Sequence, residues 1–154
     1  MPQAHQSKSM FRMEVSVTEE IDAPPAAVWA VLTDASRMAG WNSTIESVQG
    51  TIAEGERIEL VSTSAPDRVF RLRVSDMRPE AGMVWSDGFA PMFKGVRTYV
   101  LSPTAAGTRF SMTEVFSGLM LPMIAGSLPD FGPVFEAWAR DLKAEVESGE
   151  SASG

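Results

Sequence analysis

Three charged residues, Asp87, Arg97 and Glu114, fall on the apolar phase of runs that otherwise alternate apolar with polar residues. If the turn Pro103 to Thr108 closes a hairpin that sets Leu101 against Phe110, Tyr99 comes to lie beside Met112 and Arg97 beside Glu114. A preceding hairpin around Phe89 to Phe93 would set Trp85 beside Tyr99 and Asp87 beside Arg97. The register matters, because a slip of one residue turns every one of these side chains to the other face. In this register one face carries an apolar row, Trp85, Tyr99 and Met112, next to a polar row, Asp87, Arg97 and Glu114. A mostly apolar surface with a few convergent polar groups is the make-up of a small-molecule site. Arg97 could hold a carboxylate, phenolate or enolate. Glu114 or Asp87, if desolvated, could have a raised pKa and act as general acid or base. The competing reading is structural, with each charge present to satisfy the others. A carboxylate that faces a cavity without its arginine separates proton-transfer chemistry from simple binding.

Composition removes other chemistries. The chain has 154 residues and no cysteine, which leaves no disulfide framework, thiol nucleophile or thiolate metal site. Its single histidine, His5, lies in a polar N-terminal stretch read as a solvated tail. A Ser–His–Asp triad or a multi-histidine metal centre needs a histidine in the folded body, so no metal and no cofactor is expected. The net charge of −7 argues against nucleic acid, whose phosphates require clustered cations. No apolar run reaches the length of a membrane span, so no stable membrane insertion is expected. MPQAHQSKSM has no apolar signal core, and the expected location is cytoplasmic.

The elements that must position these residues read as one domain, residues 11–147, between tails at 1–10 and 148–154. Phe11, Met13, Val15, Val17 and Ile21 alternate with Arg12, Glu14, Ser16, Thr18 and Glu20, the pattern of a half-buried strand. Asp22-Ala23-Pro24-Pro25 ends it and opens a helix over Pro25 to Thr33; a second helical turn follows from Asp34 to Gly40. Strands are expected at Ile45 to Gly50, Arg57 to Thr63, Val69 to Met77, Met83 to Phe89, Phe93 to Leu101 and Thr108 to Ser117. The turn between the second and third of these is set at Ser64 to Asp67, and Glu59 is expected to pair with Arg71 or Arg73 on the wet face. Gly118 to Pro129, broken by Gly and Pro, is the candidate gate. From Asp130 to Val146, Phe131, Val134, Phe135, Trp138, Leu142 and Val146 recur at helical spacing on one face, with Asp130 as N-cap. A helix with two Phe and a Trp on one side needs a large apolar surface. The run of strands before it can supply one only by curving around it, an α+β arrangement.

IDAPPAAVWAVLTDASRMAGWN, RPEAGMVW, LSPTAAGTRFSMTEVFSG and FGPVFEAWARDLKAEVE together resemble the SRPBCC (START-like, helix-grip) superfamily, and within it bacterial polyketide cyclase/dehydrase-type members. The resemblance covers Met13 to Glu147. It implies a curved antiparallel sheet of about six or seven strands gripping a long C-terminal helix, with a cavity for an apolar ligand between them. The iron-binding oxygenase branch is excluded, because the body of this chain has no histidine. Ligand-binding candidates are Trp41, Trp85, Arg97, Tyr99, Met112, Glu114 and Trp138. Trp138 is weighed against a core role, and Trp41 is divided between core plug and pocket lining. Three functions follow: binding of a small hydrophobic molecule, a cyclase or aromatase acting on a polyketide-like substrate with Glu114, Asp87 or Arg97 as candidate catalytic groups, and a protein-interaction module with a solid core. Oligomeric state is open.

Overall fold

A computed structural model of the chain describes residues 2–153, with side chains to residue 149. Eight antiparallel strands, β1 (His5–Ser9), β2 (Arg12–Ile21), β3 (Ile45–Gln49), β4 (Arg57–Ser62), β5 (Ala65–Arg78), β6 (Gly82–Phe89), β7 (Phe93–Pro103) and β8 (Thr108–Ser117), form one sheet in the order β1-β2-β8-β7-β6-β5-β4-β3. Helices α1 (Pro25–Leu32) and α2 (Ala35–Trp41) link β2 to β3, α3 (Leu121–Ile124) follows β8, and α4 (Phe131–Ser153) closes the chain. Register shifts between Ile45 and Ser47, Leu60 and Ser62, and Ser75 and Arg78 interrupt the β3–β6 ladders. Such bulges bend and twist a sheet, and here they accompany its curvature around α4.

The helix-grip expectation holds, with an eighth strand added. His5–Ser9, read as part of a tail, pairs with β2 as an exposed edge strand. Ala4 N–H donates to Glu136 Oε2 at 3.0 Å and Gln6 Nε2 to Asp130 Oδ1 at 3.3 Å, which ties this edge to α4. Phe11 lies in the β1–β2 turn and is exposed, whereas Val15, Val17 and Ile21 are buried as expected. The β4–β5 turn is tighter than the Pro and Asp suggest: Ser62 pairs with Ala65, and Pro66 and Asp67 already belong to β5. At the far end α4 continues through residues read as a tail, to Ser153.

The core lies between the concave face and α4, which contributes Phe135, Trp138, Ala139, Leu142 and Val146, all buried. Asp130 Oδ1 accepts the Gly132 N–H at 3.1 Å, the N-cap bond expected of it. Asp141 Oδ2 accepts both the N–H and hydroxyl of Ser43, and Glu147 Oε2 accepts the N–H of Asp22 at 2.8 Å. The helix is thus fastened along its length as well as packed. On the wet face Glu59 stands opposite Arg71 with a 3.5 Å ion pair.

Candidate functional site

The β7–β8 register is the one expected from the hairpin: Leu101 faces Phe110, Tyr99 faces Met112 and Arg97 faces Glu114. The β6–β7 register differs by two residues. Trp85 faces Arg97, Met83 faces Tyr99 and Asp87 faces Gly95, because three residues, Ala90 to Met92, separate the Phe89–Phe93 pair. An even shift preserves side-chain parity. All the predicted residues therefore stay on the concave face, but Asp87 is displaced along the strand from Arg97.

Above this face lies a cavity of about 220 Å³ between the sheet and the first half of α4. Trp85, Phe70, Leu72, Phe93, Phe116, Phe131 and Trp138 supply apolar lining, and Asp87, Arg97, Glu114 and Arg68 supply charge. Leu128 and Pro129, from the expected gate, close one side.

Arg97 and Glu114 form an ion pair with side chains only 16% and 14% exposed. Arg97 Nε donates to Glu114 Oε1 at 2.7 Å, and its Nη2 lies 2.6 Å from the same oxygen. Glu114 Oε2 is left without a hydrogen-bond partner among the described residues. The Phe135 ring lies under the guanidinium, 5.0 Å from its carbon, and adds a cation–π contact. Burial alone works against the charged guanidinium, but Glu114 and then Tyr99 outweigh it, and the Arg97 pKa is raised. Arg97 is therefore a fixed cation.

Asp87 has a different environment. It is half-buried, lines the cavity and forms no ion pair among the described residues. Burial raises its pKa and Glu114 adds to the rise; Arg68 and the Gly95 backbone pull it down less strongly. The carboxylate leans over Gly95, where an added Cβ would lie 2.9 Å from Asp87 Oδ1 and 3.4 Å from the Phe116 ring. Glycine is thus what lets Asp87 and Phe116 share that stretch of wall.

Other sequence candidates lie behind the wall. Tyr99 is fully buried, packed against Trp85 at 4.9 Å and Trp138 at 5.5 Å between ring centroids, and does not line the cavity; neither does Met112. Burial raises the Tyr99 pKa against the pull of Arg97. Trp41 meets Trp138 edge-on at 5.5 Å and lies outside this cavity, on a separate and more open hollow that it lines with Ser36, Arg37, Gly40 and Glu145. Among the described residues, Trp41 Nε1 and Trp85 Nε1 are buried without a hydrogen-bond partner.

Phe70 and Phe116 were absent from the candidate set, although alternation along β5 and β8 puts them on the inward phase. Arg68 shares that phase, but it sits next to the turn and its charge suggests solvent. Its guanidinium carbon lies 4.8 Å over the Phe70 ring. Among the described residues no three His, Cys, Asp or Glu side chains gather into a metal-binding group.

The family model described as polyketide cyclase / dehydrase and lipid transport matches residues 12–149. No curated protein matches. Among solved structures, a protein from Rhodobacter sphaeroides is similar with a TM-score of 0.70 at 19% identity, covering 95% of this chain and 99% of its own. One from Nitrosomonas europaea gives 0.64 at 17% identity, covering 95% and 99%. A Staphylococcus aureus protein of unknown function gives 0.66 at 12% identity, covering 91% and 96%. At these identities the solved structures speak for the fold.

Proposed function

We propose that this chain, which belongs to the polyketide cyclase / dehydrase and lipid transport family, binds a small, largely apolar molecule in the cavity between its sheet and α4. The cavity carries this reading: an aromatic-walled space with a fixed cation, a free carboxylate oxygen and a protonatable carboxyl at one end. A module that works only through its surface has no use for such a space. An apolar cavity of about 150 Å³ takes a benzene. The 220 Å³ here suits one or two fused rings, with a hydroxyl or carbonyl reaching the polar end.

Titration with 2-naphthol, a fluorescent two-ring phenol, tests this reading. Saturable one-to-one binding is expected, and it should be lost in Val134→Trp, which fills the cavity from α4. Binding that is unchanged in the filled variant would place the probe elsewhere and remove the support.

Asp87 favours a second reading, a cyclase- or dehydratase-type proton transfer. A desolvated carboxyl that faces the cavity and is not held by Arg97 takes up a proton more readily than an ordinary carboxylate and can pass it on, whereas Glu114 is tied to Arg97. In that case Arg97 would orient an enolate or carbonyl oxygen and Asp87 would move the proton. Asp87→Asn would then retain ligand and lose turnover.

A further inference from the structure

The sheet brings five connections to one end of the molecule: the β1–β2, β4–β5 and β6–β7 turns, the α2–β3 link and the β8–α3 link. Here large apolar side chains stand in solvent. Met10 is 69% exposed, Phe11 47%, Phe89 69%, Met92 38%, Leu119 58% and Met123 79%. Three of the connections are laced together through backbone. Gly118 N–H donates to Phe11 O at 3.1 Å, Leu119 N–H to Pro91 O at 2.9 Å, and Met120 N–H to Met92 O at 2.9 Å. Gly118 permits the seam, with φ of +129° and no room for a Cβ, which would meet Met92 O. The exposed side chains are therefore displayed on one braced tip.

Charge distinguishes this tip from the rest of an acidic chain. Residues 8–12, 42–44, 65–69, 88–94 and 117–130 hold four cations, Lys8, Arg12, Arg68 and Lys94, against two carboxylates, Asp67 and Asp130. Arg12 also has a partner outside these segments, Glu14, at 2.6 Å. At the opposite end of the strands, residues 19–22, 54–57, 76–80 and 107–109 hold seven carboxylates against three arginines. The molecule, at −7 overall, is thus polarised along its strands, with apolar groups and cations together at one end. The cavity is lined from that same end by Ser62, Ser64, Ala65, Arg68 and Phe93.

We propose that this tip docks reversibly on the surface of an anionic lipid bilayer, with the turn residues in the interfacial layer, Lys8, Arg12, Arg68 and Lys94 against lipid phosphates, and the cavity facing the membrane. Exposed Phe, Leu and Met provide interfacial burial, cations add attraction to anionic headgroups, and the acidic far end is repelled, which sets the orientation. Among the described residues no helix is long and apolar enough to cross a membrane, and shallow docking requires none. As a route for an apolar ligand the proposal rests on the cavity reading above; as a membrane contact it stands alone.

Flotation of the full chain with vesicles of phosphatidylcholine, with and without phosphatidylglycerol, tests it. The expected result is binding to the anionic vesicles that weakens with added salt, falls about fivefold for each of Lys8→Gln and Lys94→Gln, and falls at least roughly tenfold in Phe11→Ser/Phe89→Ser/Leu119→Ser. These side chains are exposed, so the variants should fold, and they should bind 2-naphthol in solution as the parent does. That separates loss of docking from loss of the cavity. No vesicle binding, or equal binding to phosphatidylcholine alone, would overturn the proposal. So would self-association of the parent that the triple variant abolishes in sedimentation, because the tip would then be an interface between copies of this chain.

Discussion

Arg97 and Asp87 illustrate how two charges on one face come to differ. Arg97 is locked by two donors onto a single oxygen of Glu114, so removing it strands a mostly buried carboxylate. Arg97→Ala should cost about 3 kcal/mol in denaturant unfolding, and Arg97→Met/Glu114→Leu distinctly less, since breaking a buried pair costs more than replacing both partners. Asp87 has a folded-state pKa above its unfolded one, so the proton favours the folded state: that stabilisation is complete below the unfolded value and is lost as pH rises through the raised one. Asp87→Asn should therefore melt at a higher temperature than the parent at pH 7, and the difference should shrink toward pH 3. A difference independent of pH would mean that burial of the charge is not its cause. The inward phase of Asp87, Arg97 and Glu114 was legible because alternation fixes parity. The partner of Asp87 was not, because the span of the Phe89–Phe93 turn decides a two-residue shift that leaves the pattern unchanged.

Among the elements, α4 was the most legible. Its apolar stripe and its Asp130 cap are both written in residue spacing. Asp130→Ala should cost about 1 kcal/mol through loss of the cap to Gly132. Trp138→Ala should cost about 3–5 kcal/mol, the range for emptying a large buried aromatic site, because Trp41, Tyr99 and Phe110 all rest on this ring. Urea unfolding measures both. The ends of the chain were less legible for a physical reason. HQSKS has no apolar alternation, since β1 is exposed throughout, and its order comes from hydrogen bonds to β2, Glu136 and Asp130 that only the tertiary structure supplies. Likewise, residues 148–153 look like a polar tail, yet they continue a helix already nucleated and docked upstream.

At the scale of the molecule, the sheet and helix enclose a space at one end and fill the other. The filled half is the Trp138–Tyr99–Phe110 cluster, with Met112 behind it. The open half begins at Trp85 and Arg97 and runs toward the apolar tip. Sequence periodicity marked which residues face inward but not which of them touch the cavity, because lining depends on how closely α4 approaches each part of the sheet. Hence Tyr99 and Met112 share a phase with Arg97 and Glu114 and still lie behind the wall. If this space holds a small molecule, native mass spectrometry of the protein as purified will detect it. The expected result is a bound species on the order of 150–250 Da, the scale of one or two rings, absent from Val134→Trp and retained by the triple tip variant. A parent that carries no such species and also fails to take up 2-naphthol would contradict binding in this space.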